Sequence, residues 1–363
     1  MDLSRGPHLA VTGAGGFIGL ALVRRLTGDG ATVVGLDLDL GAAVRVQEAG
    51  GRFAAVDTTD PVAVLDALEG CDGVVHTAAR VTDWGPMAEF IRVNVGGTHN
   101  VLQAAAAVGA QRVVHVSSVA SWGYEFGHDL GEDAPPRPTG AGYADTKGAS
   151  DQLALHHGAA VVRPGDVYGP GSIPWIRRPL ETMRAGKFFL PAPGDGIMTP
   201  VYVDDLVDCV VRALVHPDAG GLSFTAWDGH AIAARDFFAF HARMLGRDGV
   251  RTLRRELNDE LERAVRTTSR EVSREAKRSH SYQDRTGRLT RSIAPLPTMG
   301  RFLQDSLEGG VTATRRYASY VEEGTTRARA YQYLGTAWLM QRDDSEQRVE
   351  DALEAALTAS GLR

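Results

Sequence analysis

The sequence predicts an α/β protein in which a doubly wound parallel sheet is followed by a small α+β domain with a long leading helix. Three features predict this: short β-branched runs that alternate with alanine- and leucine-rich helical segments, a glycine-rich turn directly after the first run, and a charged helical stretch at residues 253–278. Repeated βα units form parallel sheets with helices on both faces. We therefore expect a first domain at residues 1–247 and a second at 248–363.

Six strands are predicted in the first domain, and each is a short β-branched run. They are His8–Thr12, Thr32–Leu36, Arg52–Val56, Gly73–Thr77, Arg112–Ser117 and Ala159–Arg163. Helical spacing at residues 17–27 and 94–108 predicts two of the helices that connect these strands.

The composition is that of a globular protein, with 43% hydrophobic and 23% charged residues. A net charge of -6 gives no overall reason to expect an anionic partner, so we expect no direct contact with nucleic acid and none with a membrane. The two cysteines, Cys71 and Cys209, stand apart from any histidine cluster, which predicts no metal site and a reducing compartment. We expect an unanchored, cytoplasmic protein.

A glycine-rich turn follows the first predicted strand, and the next helix begins inside it. Gly13 permits the tight turn, Gly16 lets the backbone approach a pyrophosphate, and Gly19 lets the helix pack close to the strand. The helix N-terminus offers free N–H groups to the anion. We expect a Rossmann-type dinucleotide site, with an ordinary turn before a helix as the alternative. The expected members are Thr12, Gly13, Gly16, Phe17, Ile18 and Gly19.

Two carboxylates that follow the second and third strands are expected to bind the adenosine half of the dinucleotide. Asp37 is placed to accept hydrogen bonds from the ribose hydroxyls. Leu38 and Asp39 beside it supply no cation for a 2′-phosphate, which favours NAD over NADP. Asp57 is placed to meet the adenine amino group. An ordinary carboxylate at a strand end is the alternative for Asp37.

The fourth strand is predicted to end beside the dinucleotide, because ligands bind at the carboxyl ends of parallel strands. We assign Thr77, Ala78 and Ala79 to this place, where the small alanines let the chain pass beside the cofactor. The sequence favours His76 as a packed core histidine over His76 as a catalytic base.

A candidate catalytic set follows the fifth strand. Tyr143 and Lys147 are four residues apart and share one helix face, while Ser117 and Ser118 end the strand. A phenol with a pKa of roughly 10 is a poor proton shuttle at neutral pH. A neighbouring ammonium group and an oxidised nicotinamide would both lower that pKa. Lys147 can also hold the nicotinamide ribose, and a serine hydroxyl can hold the substrate oxygen.

Together these motifs resemble the extended short-chain dehydrogenase/reductase family of NAD-dependent epimerases and dehydratases, especially its hydroxysteroid-dehydrogenase-like branch. The resemblance covers residues 7–247 and includes the stretches at residues 94–98, 162–170 and 200–206. It implies hydride transfer at a carbinol or ketone carbon. By the family's spacing, counting back five residues from Gly123 selects Ser118, rather than Ser117 or Ser121, as the carbonyl-binding serine. The implied roles are acid/base for Tyr143, lowering of its pKa for Lys147, and positioning for Asn94.

Aromatic residues in the segments that follow the strands suggest an apolar or ring-shaped small-molecule substrate. Core packing explains such residues equally well. Arg163 ends the sixth strand, but no arginine pair demands the diphosphate of a nucleotide sugar. The aromatic residues are Trp84, Trp122, Tyr124, Trp175, Phe188 and Phe189.

The second domain has a different character. An apolar stripe at helical spacing over residues 253–276 predicts a long amphipathic helix, with a coiled-coil or bundle helix as the alternative. Residues 249–358, through the stretches at 284–293, 317–325 and 330–338, resemble the tail-component family of long-tailed phages. That resemblance implies a homo-oligomer, with a ring as one form, and head-tail connector or tail proteins as partners in a virion. A closing helix is predicted at residues 344–357.

Two classes of function compete. One is an NAD-dependent oxidoreductase or epimerase that acts on a secondary alcohol or ketone and carries an assembly module. The other is a phage structural protein, a tail-completion or neck component, whose dehydrogenase-like domain is not catalytic. The intact set of Ser118, Tyr143 and Lys147 favours the first, whereas the short C-terminal part of the substrate domain counts against a conventional pocket. An engineered or misassembled gene fusion is a third alternative.

Overall fold

The computed structural model describes most of the chain up to residue 251 and two short strands beyond it. The described residues are 1–82, 85–123, 130–190, 194–251, 293–295 and 311–313. The chain forms two compact units: one comprises Met1–Arg177 and Met198–Ala231, the other Arg178–Ile197 and Ile232–Arg363. The domain boundary at residue 247 stays a prediction.

The first unit contains a seven-stranded parallel sheet in the order β10-β6-β5-β4-β1-β2-β3. Its strands are β1 His8–Thr12, β2 Thr32–Asp37, β3 Arg52–Ala55, β4 Gly73–His76, β5 Arg112–Val116, β6 Ala160–Pro164 and β10 Ser223–Ala226. Four short strands in the described chain up to residue 251 lie outside this sheet. They are β7 Asp166–Tyr168, β8 Ile197–Met198, β9 Pro200–Tyr202 and β11 Ile232–Ala233. All six predicted strands are present, and β10 is an addition at the edge beside β6.

Nine α-helices lie in the described part of the chain. They are α1 Phe17–Gly28, α2 Ala43–Glu48, α3 Pro61–Leu68, α4 Met87–Phe90, α5 Gly97–Ala107, α6 Gly142–His156, α7 Arg178–Arg184, α8 Val203–Val215 and α9 Ala234–Met244. A π-helical segment, Ile91–Gly96, joins α4 to α5. The predicted helix at residues 94–108 therefore begins with a wider turn, which is a feature often found at functional sites. In the described residues, none of the helices has the length and apolar character that a membrane span requires.

The core has two layers because alternate residues of a strand point to opposite faces of the sheet. Leu9 and Val11 of β1 pack in the cluster that contains Leu22 of α1 and Leu206 of α8. Ala10, between them, packs on the other face with residues of α3 and α5. Helices thus cover both faces, and the doubly wound α/β fold is confirmed.

The strand order reverses direction between β1 and β4, since β2 and β3 continue on one side and β5 and β6 on the other. Ligands of doubly wound sheets bind at this switch point, outside the carboxyl ends of the strands. The glycine turn after β1 lies there.

The motifs of the predicted second domain fall largely outside the described residues. This applies to the helices at 253–276 and 344–357 and to the stretches at 317–325 and 330–338. Ile293–Pro295 and Val311–Ala313 pair as antiparallel strands.

Two histidines lie side by side inside the sheet, His76 on β4 and His115 on β5. Their rings stack with centroids 5.3 Å apart, and both side chains are buried. Burial, with a smaller contribution from the charge of Lys147, lowers the pKa of His76 from 6.5 to about 3. Burial, the charge of Lys147 and His76 together hold the pKa of His115 well below 6.5. Both histidines are therefore neutral in the folded protein at neutral pH.

We expect the free energy of unfolding to fall as the pH is lowered from about 7 to about 5, because the unfolded histidines take up protons near pH 6.5 and the folded pair does not. The expected loss is about 2 kcal/mol for each buried histidine. Urea denaturation at both pH values measures this loss. His76→Gln should remove about half of it, and His157→Gln, at an exposed position, should leave it unchanged. An equal loss in all three proteins would contradict this expectation.

Candidate functional site

The glycine turn is packed against the chain that leaves β4. Gly13 has a φ of +66°, and a Cβ there would lie 2.9 Å from the backbone nitrogen of Ala78. A Cβ on Gly19 would collide with the carbonyl oxygen of Gly13. Helix α1 begins at Phe17 with Gly16 as its N-cap, so its first N–H groups face the turn. This cradle, which a side chain would fill, fits the pyrophosphate of a dinucleotide.

Asp37 is fixed at the end of β2 by two backbone groups. Its Oδ2 accepts a hydrogen bond from the N–H of Gly15 at 2.8 Å, and its Oδ1 accepts one from the N–H of Asp39 at 2.9 Å. Gly15 was not among the expected site residues, although it stands in the glycine turn. Asp57 accepts a hydrogen bond from the N–H of Thr59 at 2.9 Å. Asp37 and Asp57 are both partly exposed, so each keeps carboxylate surface for a ligand.

A chain of buried hydrogen bonds runs under the cradle. The hydroxyl of Thr12 lies 2.7 Å from His76 Nδ1, and Nε2 of the same ring lies 2.9 Å from the hydroxyl of Thr98. The Thr12 oxygen also accepts hydrogen bonds from the N–H groups of Thr77 and Ala78, each at 3.2 Å. His76 is thus a packed core histidine, as the sequence favours, and it supports the cradle from below.

Asn94 connects the loop after β4 to α6. Its Oδ1 accepts a hydrogen bond from the Arg80 N–H at 2.7 Å, and its Nδ2 donates to the Arg80 carbonyl at 3.2 Å. Nδ2 also donates to the hydroxyl of Thr146 at 2.9 Å. Thr146 directly precedes Lys147 on α6. The wider π-helical turn that contains Asn94 therefore places its amide between these two segments.

The structure brings Ser118, Tyr143 and Lys147 together. The side chain of Ser118 lies close enough to that of Tyr143 to lower the pKa of the phenol. Lys147 is buried, and its Nζ donates to the Val116 carbonyl of β5 at 2.6 Å. Of the three candidate serines after β5, Ser118 is the one in contact with the tyrosine. Ser117 donates to Asp151 at 3.3 Å, and Ser121 is buried.

Burial is the largest cause of the pKa shift of the Tyr143 phenol. It raises the pKa above its ordinary value of 10, and the nearby side chain of Ser118 lowers it in part. This direction is opposite to the one that the charge of Lys147 alone would give, because burial is the larger effect. Burial lowers the pKa of Lys147 to about 8, while the charge of Asp151 raises it. An oxidised nicotinamide would add the positive charge that the sequence-based expectation also invoked.

Two of the six aromatic residues are core residues and do not form a substrate wall. Trp122 is buried and its indole N–H donates to the Ala134 carbonyl at 2.9 Å. Phe188 is buried with its ring centroid 4.9 Å from that of Phe238. The others are Trp175 and Phe189, which are half-buried, and Trp84 and Tyr124, which lie outside the described residues. Within the described ranges, no group of three or more side chains is arranged to hold a metal ion.

Two family models match the chain. The model of the NAD dependent epimerase/dehydratase family matches residues 9–224. The model described as Bacteriophage HK97-gp10, putative tail-component, matches residues 247–324. The resemblances predicted from the sequence are thus confirmed for both parts of the chain.

Similar proteins include reductases, epimerases and dehydratases. A 2-alkyl-3-oxoalkanoate reductase of Stenotrophomonas maltophilia is 30% identical over 347 residues, which cover 89% of this chain and 98% of that protein. A UDP-glucose 4-epimerase of Mycolicibacterium smegmatis is 33% identical over 264 residues, which cover 65% of this chain and 82% of that protein.

Solved structures with the same fold contain NAD. The dTDP-glucose 4,6-dehydratase DesIV from Streptomyces venezuelae, with NAD and TYD bound, is 27% identical and has a TM-score of 0.61 over 68% of this chain and 84% of that chain. MoeE5 in complex with UDP-glucose and NAD is 27% identical, with a TM-score of 0.60 and the same coverage of both chains. NAD is therefore the cofactor of this chain. Because the epimerase/dehydratase model spans more than half of the chain, and includes both the glycine turn and α6, the chain belongs to the NAD-dependent epimerase/dehydratase family of enzymes.

Proposed function

We propose that this chain is an NAD-dependent oxidoreductase that interconverts a ketone and a secondary alcohol. The observation that carries the proposal is that the side chains of Ser118 and Tyr143 lie near each other just beyond the carboxyl end of β5, with Lys147 one turn further along α6. Two hydroxyl groups that meet in this way can both reach one substrate oxygen. A carbonyl or carbinol oxygen is the substrate atom that such a pair would bind.

When bound in its reduced form, the cofactor would supply the hydride that the carbonyl carbon accepts. Tyr143 gives its proton to the carbonyl oxygen, and Ser118 holds that oxygen through a hydrogen bond. At neutral pH the Tyr143 phenol carries the proton that this step requires. The Lys147 ammonium would hold the nicotinamide ribose and stabilise the phenolate that remains. Asn94 keeps α6 in place through Thr146.

The same residues that form the cradle would hold the dinucleotide. The N–H groups at the start of α1 would bind the pyrophosphate, and the Asp37 carboxylate would accept hydrogen bonds from the ribose hydroxyls. Asp57 would meet the adenine amino group. Thr77, Ala78 and Ala79 would line the path of the cofactor beside β4.

For the substrate we propose a ketone without a nucleotide. In support, Arg163 is buried and bound to Asp151, so its guanidinium is not available to a diphosphate. The reductase whose name specifies a 2-alkyl-3-oxoalkanoate is also similar over nearly its whole length. Epimerisation or dehydration of a nucleotide sugar is the second candidate, since solved relatives contain UDP-glucose or TYD beside NAD.

We expect Tyr143→Phe to lower the turnover of ketone reduction by about 100- to 10,000-fold, because it removes the proton donor. NADH affinity should stay the same. Ketone-dependent oxidation of NADH, followed by absorbance with a 2-alkyl-3-oxoalkanoate as substrate, measures turnover, and nicotinamide fluorescence measures binding. Tyr202→Phe is the matched control, since this partly buried tyrosine packs edge-on against Tyr168.

Wild-type turnover in Tyr143→Phe would remove the proposed acid/base role. Conversion of UDP-glucose or dTDP-glucose without net oxidation of NADH, and no reduction of the ketone, would favour the second candidate.

For residues 248–363 we propose an assembly module that joins copies of the chain and binds head-tail connector or tail proteins in a virion. The match to the phage tail-component model at residues 247–324 supports this. The reductase match covers 89% of the chain, which is more than residues 1–247, and this favours a second role in which the region caps the substrate pocket.

The two roles predict different masses for the full-length protein. An assembly module should give a defined higher oligomer in mass photometry, because a ring needs the same interfaces on every copy. A chain that ends at residue 251 should form smaller species and still bind NADH. The same number of subunits in both proteins, combined with a loss of ketone reduction in the shortened chain, would contradict the assembly module and favour the second role.

A further inference from the structure

A buried ion pair joins β6 to α6, the helix that carries the proposed catalytic tyrosine and lysine. Arg163 Nε donates to Asp151 Oδ2 at 2.7 Å, and Nη2 donates to Oδ1 at 3.3 Å. The two side chains are 1% and 0% exposed. Removal of one partner would leave the other as an uncompensated buried charge, so the two depend on each other.

Asp151 connects this pair to the end of β5. It stands four residues after Lys147 and therefore shares its face of α6. The hydroxyl of Ser117 donates to Asp151 Oδ2 at 3.3 Å, and Ser117 directly precedes Ser118. The carboxylate thus holds the strand end that carries Ser118 against the helix that carries Tyr143.

Arg163 connects the pair to the chain that follows Ser118. Its Nη1 donates to the carbonyl of Glu132 at 2.6 Å. Its guanidinium lies over the ring of Trp122, 4.8 Å from the ring centroid. This side chain is the largest of the fully buried ones in the described residues. Burial of a charged guanidinium group costs free energy unless the group is paired and hydrogen-bonded. Here its partners lie on α6 and on the chain that follows Ser118.

We propose that Asp151 and Arg163 are positioning residues, whose ion pair fixes the Ser118 segment and α6 relative to each other. The inference rests on the roles proposed above for Ser118, Tyr143 and Lys147. The carboxylate also acts through its charge. Burial lowers the pKa of Lys147 to about 8, and Asp151 opposes that shift, so the carboxylate keeps the ammonium group charged at neutral pH.

The charge of Lys147 can be observed directly, because the chain has three lysines, Lys147, Lys187 and Lys277. In the full-length protein labelled with [ε-¹³C]lysine, an NMR titration follows each ε-carbon against pH. Lys187→Arg and Lys277→Arg assign the signals. This measurement needs no substrate, so its outcome is separate from that of the proposed function.

Asp151→Asn removes the charge and keeps the shape of the side chain. We expect the titration midpoint of Lys147 to move down by about one pH unit. Ketone turnover should fall by about 10- to 100-fold, with little change in the KM for the ketone. Asp145→Asn is the matched control on the same helix, because Asp145 accepts its hydrogen bonds from Thr139 and Gly140. The control should leave the Lys147 midpoint unchanged, and an equal shift in both variants would overturn the proposal.

Asp151→Asn leaves Arg163 without its buried partner, which can prevent folding. The double variant Asp151→Leu with Arg163→Met removes both charges and should fold. In it we expect a lowered Lys147 midpoint and a reduced turnover at a melting temperature close to that of the wild type. A wild-type midpoint and turnover in this variant would overturn the proposal, since the pair would then only fill space. A shifted midpoint in the variant, combined with a wild-type protein that reduces no ketone, would support the action on Lys147 and contradict the proposed function.

Discussion

The turn after β1 and the chain that leaves β4 approach so closely that a Cβ at Gly13 would lie 2.9 Å from the backbone of Ala78. The hydroxyl of Thr12 connects the same two segments through the N–H groups of Thr77 and Ala78. This contact lies where the strand order reverses, so it sets the position of α1 and of the cradle at its N-terminus. Asp37 depends on this spacing as well, because its carboxylate accepts a hydrogen bond from Gly15 in the turn after β1.

The part of the site that contains the candidate catalytic residues is also held by buried polar side chains, which form hydrogen bonds with the backbone. The Asn94 amide forms hydrogen bonds with the backbone of Arg80, and the Lys147 ammonium donates one to the Val116 carbonyl. A buried polar group without a partner costs more than an ordinary hydrogen bond contributes, so each group has few alternative positions. The same burial raises the pKa of Tyr143. Burial therefore acts against deprotonation of the phenol, whereas a neighbouring positive charge would favour it.

The sequence predicted the elements whose signals are local. The six strands are β-branched runs, and the glycine turn has a spacing that few other structures require. The edge strand β10, Ser223–Ala226, was not predicted; it has four residues, of which only Thr225 is β-branched. Features that depend on burial were not predictable. The direction of the Tyr143 pKa shift and the core positions of Trp122 and Phe188 follow from packing. Asp151 and Arg163 meet only because α6 and β6 are neighbours in the fold, and nothing in the sequence between them indicates the pair.

Direct hydride transfer between the nicotinamide and a substrate carbon is the central claim about this enzyme. It is tested most directly with NADH that carries deuterium on one face of nicotinamide C4, followed by mass spectrometry of the alcohol formed from the ketone. We expect the protein to bind the nicotinamide ring in one orientation, which would give one deuterium at the carbinol carbon from one of the two labelled forms and none from the other. Deuterium from both forms, or from neither, would contradict this claim.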